Sequence, residues 1–109
     1  MPAISFSTLK DKIISGEKKQ TIRPYSDYWL KFKKGDRAVG YWKMRTPECE
    51  KLFESVFSED PFIIDLSEFD DELMVRDGFS NLREALLEWF WVKYPKNLPY
   101  MDFVVLRWE

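Results

Sequence analysis

The most informative segment of the chain is GEKKQTIRP, residues 16–24. Its second half alternates apolar or amide side chains with polar or charged ones, which predicts a half-buried strand, and Pro24 ends the regular pairing. The segment also places a lysine amine, a threonine hydroxyl and an arginine guanidinium close together in sequence, at Lys18, Thr21 and Arg23. These residue types suit a functional site, and they equally suit an ordinary surface strand with solvated charges.

The point at which this strand begins decides between two kinds of site. In a regular strand residues 18 and 21 point to opposite faces. Lys18 and Thr21 therefore act together only if Lys18 lies in a turn before the strand, and the preceding glycine makes such a turn plausible. If the strand begins at Glu17 instead, Lys19, Thr21 and Arg23 share one face as a phosphate-binding row.

On the N-terminal side of this segment the sequence predicts a short helix over residues 8–15. Thr8 and Asp11 resemble a capping pair, and Gly16 supplies a C-terminal stop. The apolar face of this helix is formed by Leu9, Ile13 and Ile14.

On the C-terminal side the order of elements indicates an α+β fold. A loop is predicted over residues 25–34, and further strands are predicted at residues 38–42, on either side of Pro61 within residues 48–66, and at residues 101–108. An acidic segment forms a helical turn that stops at Gly78, and Asn81 with Glu84 caps a helix that ends before Pro95 and buries Trp89 and Phe90. Because these elements lack regular βαβ alternation, a small, curved or closed antiparallel sheet with two or three helices is expected.

The composition of the chain predicts one domain over residues 1–109. The sequence has 45% hydrophobic and 33% charged residues, so burial can offset chain entropy. The start of the chain lacks the basic and apolar regions of a signal peptide, and no run approaches the roughly 20 apolar residues of a membrane helix. We therefore expect a cytoplasmic protein with no membrane partner. The sequence does not indicate an oligomeric state.

The cysteine and histidine content restricts the chemistry of any site. Cys49 is the only cysteine and there is no histidine, so an internal disulfide and the usual zinc ligand sets are excluded. We expect neither a metal nor a cofactor, and we expect Cys49 to be an inert, buried or half-buried thiol.

Charge is divided unevenly along the chain. Residues 1–45 carry eleven basic and four acidic side chains, whereas residues 46–109 carry six basic and fifteen acidic ones. Such asymmetry favours one face that attracts anions, although a scatter of solvated charges gives the same totals.

The residues Gly16, Lys18, Thr21, Ile22 and Arg23 form the pattern G-x-K-x-x-T-I-R, which resembles the signature of the ASCH family, a branch of the PUA-like superfamily. The F-K-K-G-D turn at residues 32–36, the D-G-F run at residues 77–79 and a terminal apolar strand are similar in order and spacing. The resemblance covers nearly the whole chain. It implies a small mixed or antiparallel β-barrel flanked by two or three helices, with a cleft for RNA or nucleotides.

Some small bacterial members of that family are amidohydrolases that remove the acetyl group from N4-acetylcytidine. The resemblance places their catalytic lysine and threonine on Lys18 and Thr21 and their glutamate on Asp77, where this sequence has a shorter acid. Thr21 would then attack the amide carbonyl with Lys18 as its base, Arg23 would stabilise the oxyanion, and Asp77 would move a proton. Asp77 also has a structural interpretation, as an acid that complements the dipole at a helix start.

A binding function is the first hypothesis from the sequence, because cations hold phosphates while aromatic rings stack on exposed bases. It predicts an RNA- or nucleobase-binding domain with a basic cleft formed by Lys19, Arg23, Tyr25, Trp29, Lys31, Lys33 and Lys34. Trp29 and Phe32 would close the barrel in the structural alternative. The amidohydrolase is the second hypothesis, and a protein-interaction domain that uses the acidic half is the third.

Overall fold

Two three-stranded sheets organise the protein, whose computed structural model describes residues 3–109. The strands are β1 (Ala3–Phe6), β2 (Gln20–Pro24), β3 (Arg37–Trp42), β4 (Glu50–Val56), β5 (Phe62–Asp65) and β6 (Asp102–Arg107). In the first sheet β3 lies between β1, with which it is parallel, and β4, with which it is antiparallel. In the second sheet β6 lies between β2 and β5 and is antiparallel to both.

Short helices connect the strands. The α-helices are α1 (Lys10–Ser15), α2 (Asp27–Leu30), α3 (Asp71–Arg76), α4 (Leu82–Ala85) and α5 (Trp91–Lys93), and 3₁₀ turns cover Leu66–Glu68 and Leu98–Tyr100. A π-helical segment, Leu86–Phe90, joins α4 to α5. Over residues 3–109, no helix is long and apolar enough to cross a membrane.

The α+β prediction is confirmed, and so are several of its parts. Pro61 separates β4 from β5 as expected. Asn81 caps α4, since its side chain accepts a hydrogen bond from the Glu84 amide at 2.8 Å. The described strands show two sheets and no closed barrel, although an antiparallel bridge between Phe57 and Trp108 links the end of β4 to the end of β6.

Three local predictions were wrong. Helix α1 begins at Lys10 and has no side-chain cap, because the residue before it, Leu9, adopts φ 60° and Thr8 does not bond to the helix amides. Ile14 is 55% exposed, so the buried face of α1 is narrower than predicted. Within the predicted loop, Ser26 accepts a hydrogen bond from the Tyr28 amide and caps α2.

Strand β1 was not predicted from the sequence. Its burial alternates, with Ile4 and Phe6 buried and Ala3 and Ser5 half-buried, so the period-two signal of a strand is present. The signal is only four residues long, and its pairing partner is β3, more than thirty residues away.

Strand β6 separates two hydrophobic cores. Phe103 and Val105 pack with Ile22 and the residues of α3 and α4, whereas Val104 and Leu106 pack with β1 and α1. Because side chains alternate across a strand, one apolar strand serves both cores. The junction between β1, β2 and α3, beside these cores, holds the candidate site.

Candidate functional site

Four buried polar side chains lie together where β1, β2 and α3 meet. Lys18 is 4% exposed, Gln20 1%, Thr21 5% and Asp77 5%. Lysine and aspartate are almost never fully buried unless they are paired, so their burial here requires specific partners.

Lys18 reaches the site because it lies before β2 and not within it. Helix α1 ends at Gly16, which adopts φ 86°, and the Lys18 amide then donates to the Lys12 carbonyl at 3.0 Å. Strand β2 begins at Gln20. The turn required for Lys18 and Thr21 to share a site is therefore present, and the alternative of a strand that begins at Glu17 is wrong.

Lys18 and Asp77 form a buried ion pair. The Lys18 Nζ atom lies 3.0 Å from the Asp77 Oδ2 atom and donates to the Asp77 main-chain carbonyl at 2.7 Å. Two acceptors thus come from a single residue. A neutral amine has two N–H groups, so it can satisfy both contacts and keep its lone pair for a reacting group.

Asp77 follows a helix instead of preceding one. It is the C-cap of α3, and its amide bonds to the Leu73 and Met74 carbonyls. The structural interpretation of Asp77 as an acid at a helix start is therefore wrong. A carboxylate gains nothing from the negative end of a helix dipole, so its favourable contacts are Lys18 and Gln20.

Gln20 connects the ion pair to the neighbouring strand β6. Its Nε2 atom donates to the Leu73 carbonyl at 2.9 Å and to Asp77 Oδ1 at 3.3 Å, while its Oε1 atom accepts from Arg107 Nε at 2.8 Å. The contacts with Leu73 and Arg107 hold the Gln20 amide in place, and that amide donates to the Asp77 carboxyl group. No role was predicted for Gln20, because an amide in a strand pattern indicates only a residue of the buried face.

Thr21 and Arg23 complete the cluster. The Arg23 Nε atom donates to Thr21 Oγ1 at 3.1 Å, and its Nη2 atom donates to the Ser5 carbonyl at 2.6 Å. The guanidinium also lies 5.0 Å from the ring centroid of Phe6. Because Thr21 Oγ1 accepts from a cation, charge that develops on this oxygen is stabilised. Among the hydrogen bonds of residues 3–109, none joins Thr21 to Lys18 directly.

Burial shifts the proton affinities of the ion pair towards its neutral forms. Desolvation lowers the pKa of Lys18, against the attraction of Asp77, and the positive charge of Arg23 lowers it further. Desolvation likewise raises the pKa of Asp77, against the effects of Lys18, Gln20 and Arg23. Both shifts have the same cause, since a low-dielectric environment penalises each charged form.

An open cavity of about 260 Å³ gives access to this cluster. Lys18, Thr21, Arg23 and Asp77 all line it. Perturbed titratable groups in a concave site are candidates for catalysis. The remaining lining residues are Ser5, Phe6, Ser7, Thr8, Leu9, Ile22, Pro24, Phe79, Trp89, Lys93 and Tyr94.

The part of the cavity wall that follows α4 in sequence was not predicted. Trp89, Lys93 and Tyr94 come from the π-helical segment and the residues after it. Helical spacing indicated Trp89 as a core residue, and it is half-buried against the core while it also lines the cavity. π-Helical segments occur often at functional sites. Nothing in the sequence marks this one.

Most of the predicted binding residues lie outside the cavity. Arg23 lines it, whereas Lys19 lines a second depression on the other side of Gln20. Trp29 packs against the core of β1 and α1, in line with its structural interpretation. None of the residues Tyr25, Lys31, Lys33 and Lys34 lines the cavity. Pro24 ends β2, and the chain then leaves the site through α2.

Two further properties of the described residues limit the chemistry. Residues 3–109 contain no group of three His, Cys, Asp or Glu side chains that could hold a metal ion. Cys49 is an exposed free thiol, so the expectation of a buried or half-buried thiol was wrong.

No protein-family model, curated protein or solved structure matches the chain. The function is therefore inferred from the chemistry of these residues.

Gly78 lies against Leu9 and Lys18, which line the cavity, so its substitution should damage the site specifically. It adopts φ 99°, and an added Cβ atom would lie 3.1 Å from Leu9 Cδ1 and 3.5 Å from Lys18 Cδ. We expect Gly78→Ala to lose about 1–2 kcal/mol from the positive φ alone, and to weaken ligand binding in the cavity. Thermal unfolding and a binding titration measure the two effects.

Gly35→Ala is the matched control for this prediction. Gly35 adopts φ 91°, and apart from its chain neighbours no atom of the described residues 3–109 lies within 4 Å of an added Cβ atom. Gly35→Ala should lose the same amount of stability from its positive φ, without an effect on ligand binding in the cavity. Equal binding by the two variants would show that Gly78 does not support the site.

Proposed function

We propose that this protein is an amidohydrolase of the ASCH type that removes the acyl group from an N4-acylated cytosine without a metal ion. One observation carries the proposal: the same cavity is lined by Lys18, Thr21 and Asp77. Residues 18 and 77 are far apart in sequence, yet the Lys18 Nζ atom lies 3.0 Å from the Asp77 Oδ2 atom. The sequence resemblance assigns the catalytic roles to these same residues.

The chemistry proceeds through an ester on Thr21. Its Oγ1 atom attacks the amide carbonyl carbon while the Lys18 amine takes the hydroxyl proton. The C–N bond then breaks, and the proton passes from Lys18 to the departing exocyclic nitrogen of cytosine. Water hydrolyses the acyl ester, with Lys18 again as the base, and releases the carboxylic acid and free Thr21.

The neighbouring groups supply the electrostatics of these steps. The Asp77 carboxyl group stabilises the ammonium that forms on Lys18, as the third member of a triad does for its base. Arg23 donates to Thr21 Oγ1 at 3.1 Å and to the Ser5 carbonyl, so contacts within residues 3–109 use two of its five N–H groups and leave three for the oxyanion.

Aspartate in place of the family glutamate is compatible with this role. Loss of one methylene endangers activity when it displaces a catalytic group by about 1 Å. In this protein the Asp77 carboxyl group keeps a 3.0 Å contact to Lys18, because residue 77 lies close enough for its carbonyl to bond to the same amine at 2.7 Å.

The size and walls of the cavity favour a ligand with one base. Its volume of about 260 Å³ is just below the 300–1,000 Å³ of typical pockets for drug-sized ligands. Phe79, Trp89 and Tyr94 line it with aromatic surface, on which a planar pyrimidine can stack.

For the fold, we propose the PUA-like barrel, supported by the bridge between Phe57 and Trp108 that links the two sheets.

Acetate release tests the proposal. The protein is incubated with N4-acetylcytidine, and acetate and cytidine are followed by proton NMR. We expect both products in equal amounts, and prior treatment with a chelator should not change the rate. Acetate release that requires an added metal ion would contradict the proposed chemistry.

The activity should rise with pH. Lys18 acts as a base only when its amine is neutral. Because its pKa is lowered, Lys18 becomes neutral at a lower pH than an ordinary lysine does. Activity should therefore be low in acid, rise through the pKa of Lys18 and then level off. The measurement is kcat for N4-acetylcytidine as a function of pH.

Lys93→Gln controls for the second cavity lysine, whose pKa is also lowered by burial. The same rise in this variant would assign the titration to Lys18. A rise that is lost in Lys93→Gln, or one that occurs only at the pKa of a free lysine, would contradict the role of Lys18.

RNA binding is the second candidate function, and one exposed surface favours it. Tyr25 is 45% and Tyr28 41% exposed, and Lys31 Nζ lies 5.1 Å from the ring centroid of Tyr28. Lys31, Lys33 and Lys34 take part in none of the salt bridges found within residues 3–109. Free cations beside exposed rings suit a single-stranded nucleic acid.

Salt dependence tests this second function. RNA affinity should fall steeply with salt, and the double variant Lys33→Gln/Lys34→Gln should reduce the slope of log K against log salt by about two. Lys96→Gln, a change at an exposed lysine elsewhere, should leave the slope unchanged. An affinity that is absent or independent of salt would exclude RNA as a ligand of this surface.

A further inference from the structure

The cavity carries more positive charge than its own acidic group can balance. Its charged lining residues are Lys18, Arg23, Lys93 and Asp77. Asp77 accepts hydrogen bonds from Lys18 and Gln20, so its charge is already matched inside the protein. Arg23 and Lys93 form no salt bridge with any carboxylate of residues 3–109.

Lys93 is held at the cavity by aromatic rings. Its Nζ atom lies 4.8 Å from the ring centroid of Trp89 and 5.8 Å from that of Tyr94. These contacts place a cation beside the surface on which a base would stack, while none of them supplies a negative charge. Lys93 and Arg23 line the same cavity, and burial and the nearby positive charge of Arg23 both lower the pKa of Lys93.

A neutral ligand leaves the charges of Arg23 and Lys93 unmatched. It would displace water from Arg23 and Lys93 without a compensating charge, and desolvation of an unpaired charge is costly. A phosphate monoester carries about 1.5 to 2 negative charges at neutral pH, and its oxygens accept charge-assisted hydrogen bonds from a lysine ammonium. Lys93 can therefore bind it directly, while Arg23 adds the attraction of a nearby positive charge.

We propose that the cavity is selective for an anionic substrate, the phosphate monoester of a cytosine nucleoside, whose phosphate is bound by Lys93 in the field of Arg23. The inference rests on the proposed function, since it names the substrate class of the same site. Lys93 binds the substrate and takes no part in the bond-breaking steps. It therefore acts on ground-state affinity and not on the turnover of bound substrate.

Calorimetric titration with three ligands tests this inference separately from catalysis. The ligands are cytidine, cytidine 5′-monophosphate and inorganic phosphate. We expect the nucleotide to bind at least about tenfold more tightly than cytidine at low salt, because a charged hydrogen bond contributes about that factor. The difference should shrink as salt rises, since exposed charges are screened.

Variants of Lys93 locate the anion. In Lys93→Gln the advantage of the nucleotide over cytidine should fall to about twofold, and Lys93→Arg should restore it. Lys96→Gln is the matched control, because it removes an exposed lysine of the same region that does not line the cavity. It should leave all three affinities unchanged.

Several results would overturn the inference. Equal affinities for cytidine and cytidine 5′-monophosphate would show that the cavity does not bind the phosphate group. Inorganic phosphate that binds as tightly as the nucleotide, or no binding of any of the three, would exclude a nucleotide as the occupant. Failure of the proposed function looks different: the nucleotide would bind through Lys93, yet no acetate would be released from N4-acetylcytidine or its monophosphate.

Discussion

Replacement of Thr21 by alanine is expected to lower acetate release from N4-acetylcytidine by at least about a thousandfold, because the substitution removes the nucleophile of the proposed reaction. Ligand binding should change little, since most of the cavity wall comes from other residues. Arg23 Nε loses its 3.1 Å acceptor in this variant, so a modest loss of stability should accompany the loss of turnover. Acetate release and cytidine binding are measured on the same preparation.

Two further threonine variants make this prediction specific. Thr21→Ser keeps a hydroxyl group at the site and should retain part of the activity. Thr46→Ala removes the same side chain from an exposed turn and should leave activity unchanged. If Thr21→Ala hydrolysed the substrate at more than about a tenth of the wild-type rate, Thr21 would not be the nucleophile.

Replacement of Asp77 by alanine should cost about 3–5 kcal/mol of stability, as expected when one partner of a buried ion pair is removed. Lys18 would be left 4% exposed with no side-chain acceptor for its amine. For a domain with a total stability of about 5–15 kcal/mol, this is a large fraction, so a fall in the midpoint of chemical denaturation is the expected observation. Activity should be lost as well.

Comparison variants separate charge from packing at this site. Asp77→Asn keeps the shape and should fold, though with reduced activity. The double variant Lys18→Met/Asp77→Leu replaces both charges by apolar groups and should recover most of the stability without activity. Glu48→Gln, in the exposed pair with Lys43, should leave the midpoint unchanged. A normal midpoint for Asp77→Ala would mean that the pair contributes little to the fold.

The sequence predicted the local part of the site well. Gly16 indicates a turn after α1. Because of that turn, β2 begins only at Gln20, and Lys18 lies before the strand and not on its outer face. Caps and strands at the C-terminal end followed from Asn81, Pro61 and the apolar run of β6, because their signals lie within a few residues. The α+β class followed from the order of those elements.

The parts that depend on distant residues were missed. Strand β1 supplies Ser5 to Arg23, but its four residues give a weak signal and its parallel partner is remote. Trp89 lies in the π-helical segment between α4 and α5 and Lys93 lies after it, and helical periodicity does not reveal such a change of phase.

The basic loop was misplaced for a similar reason. Lys31, Lys33 and Lys34 follow the site closely in sequence, so a single cleft was the simplest expectation. Ser26 caps α2 there, and the lysines that follow it lie outside the cavity. Gln20 was overlooked because its role depends on Asp77 and Arg107, which approach it only in the folded chain.

A single-turnover assay is the most direct test of the claim that Thr21, Lys18 and Asp77 form one hydrolytic site. Protein in excess over N4-acetylcytidine is followed by proton NMR, with Thr21→Ala in parallel. We expect complete conversion to cytidine and acetate by the wild-type protein and none by the variant. Intact N4-acetylcytidine after prolonged incubation with the folded wild-type protein would contradict it.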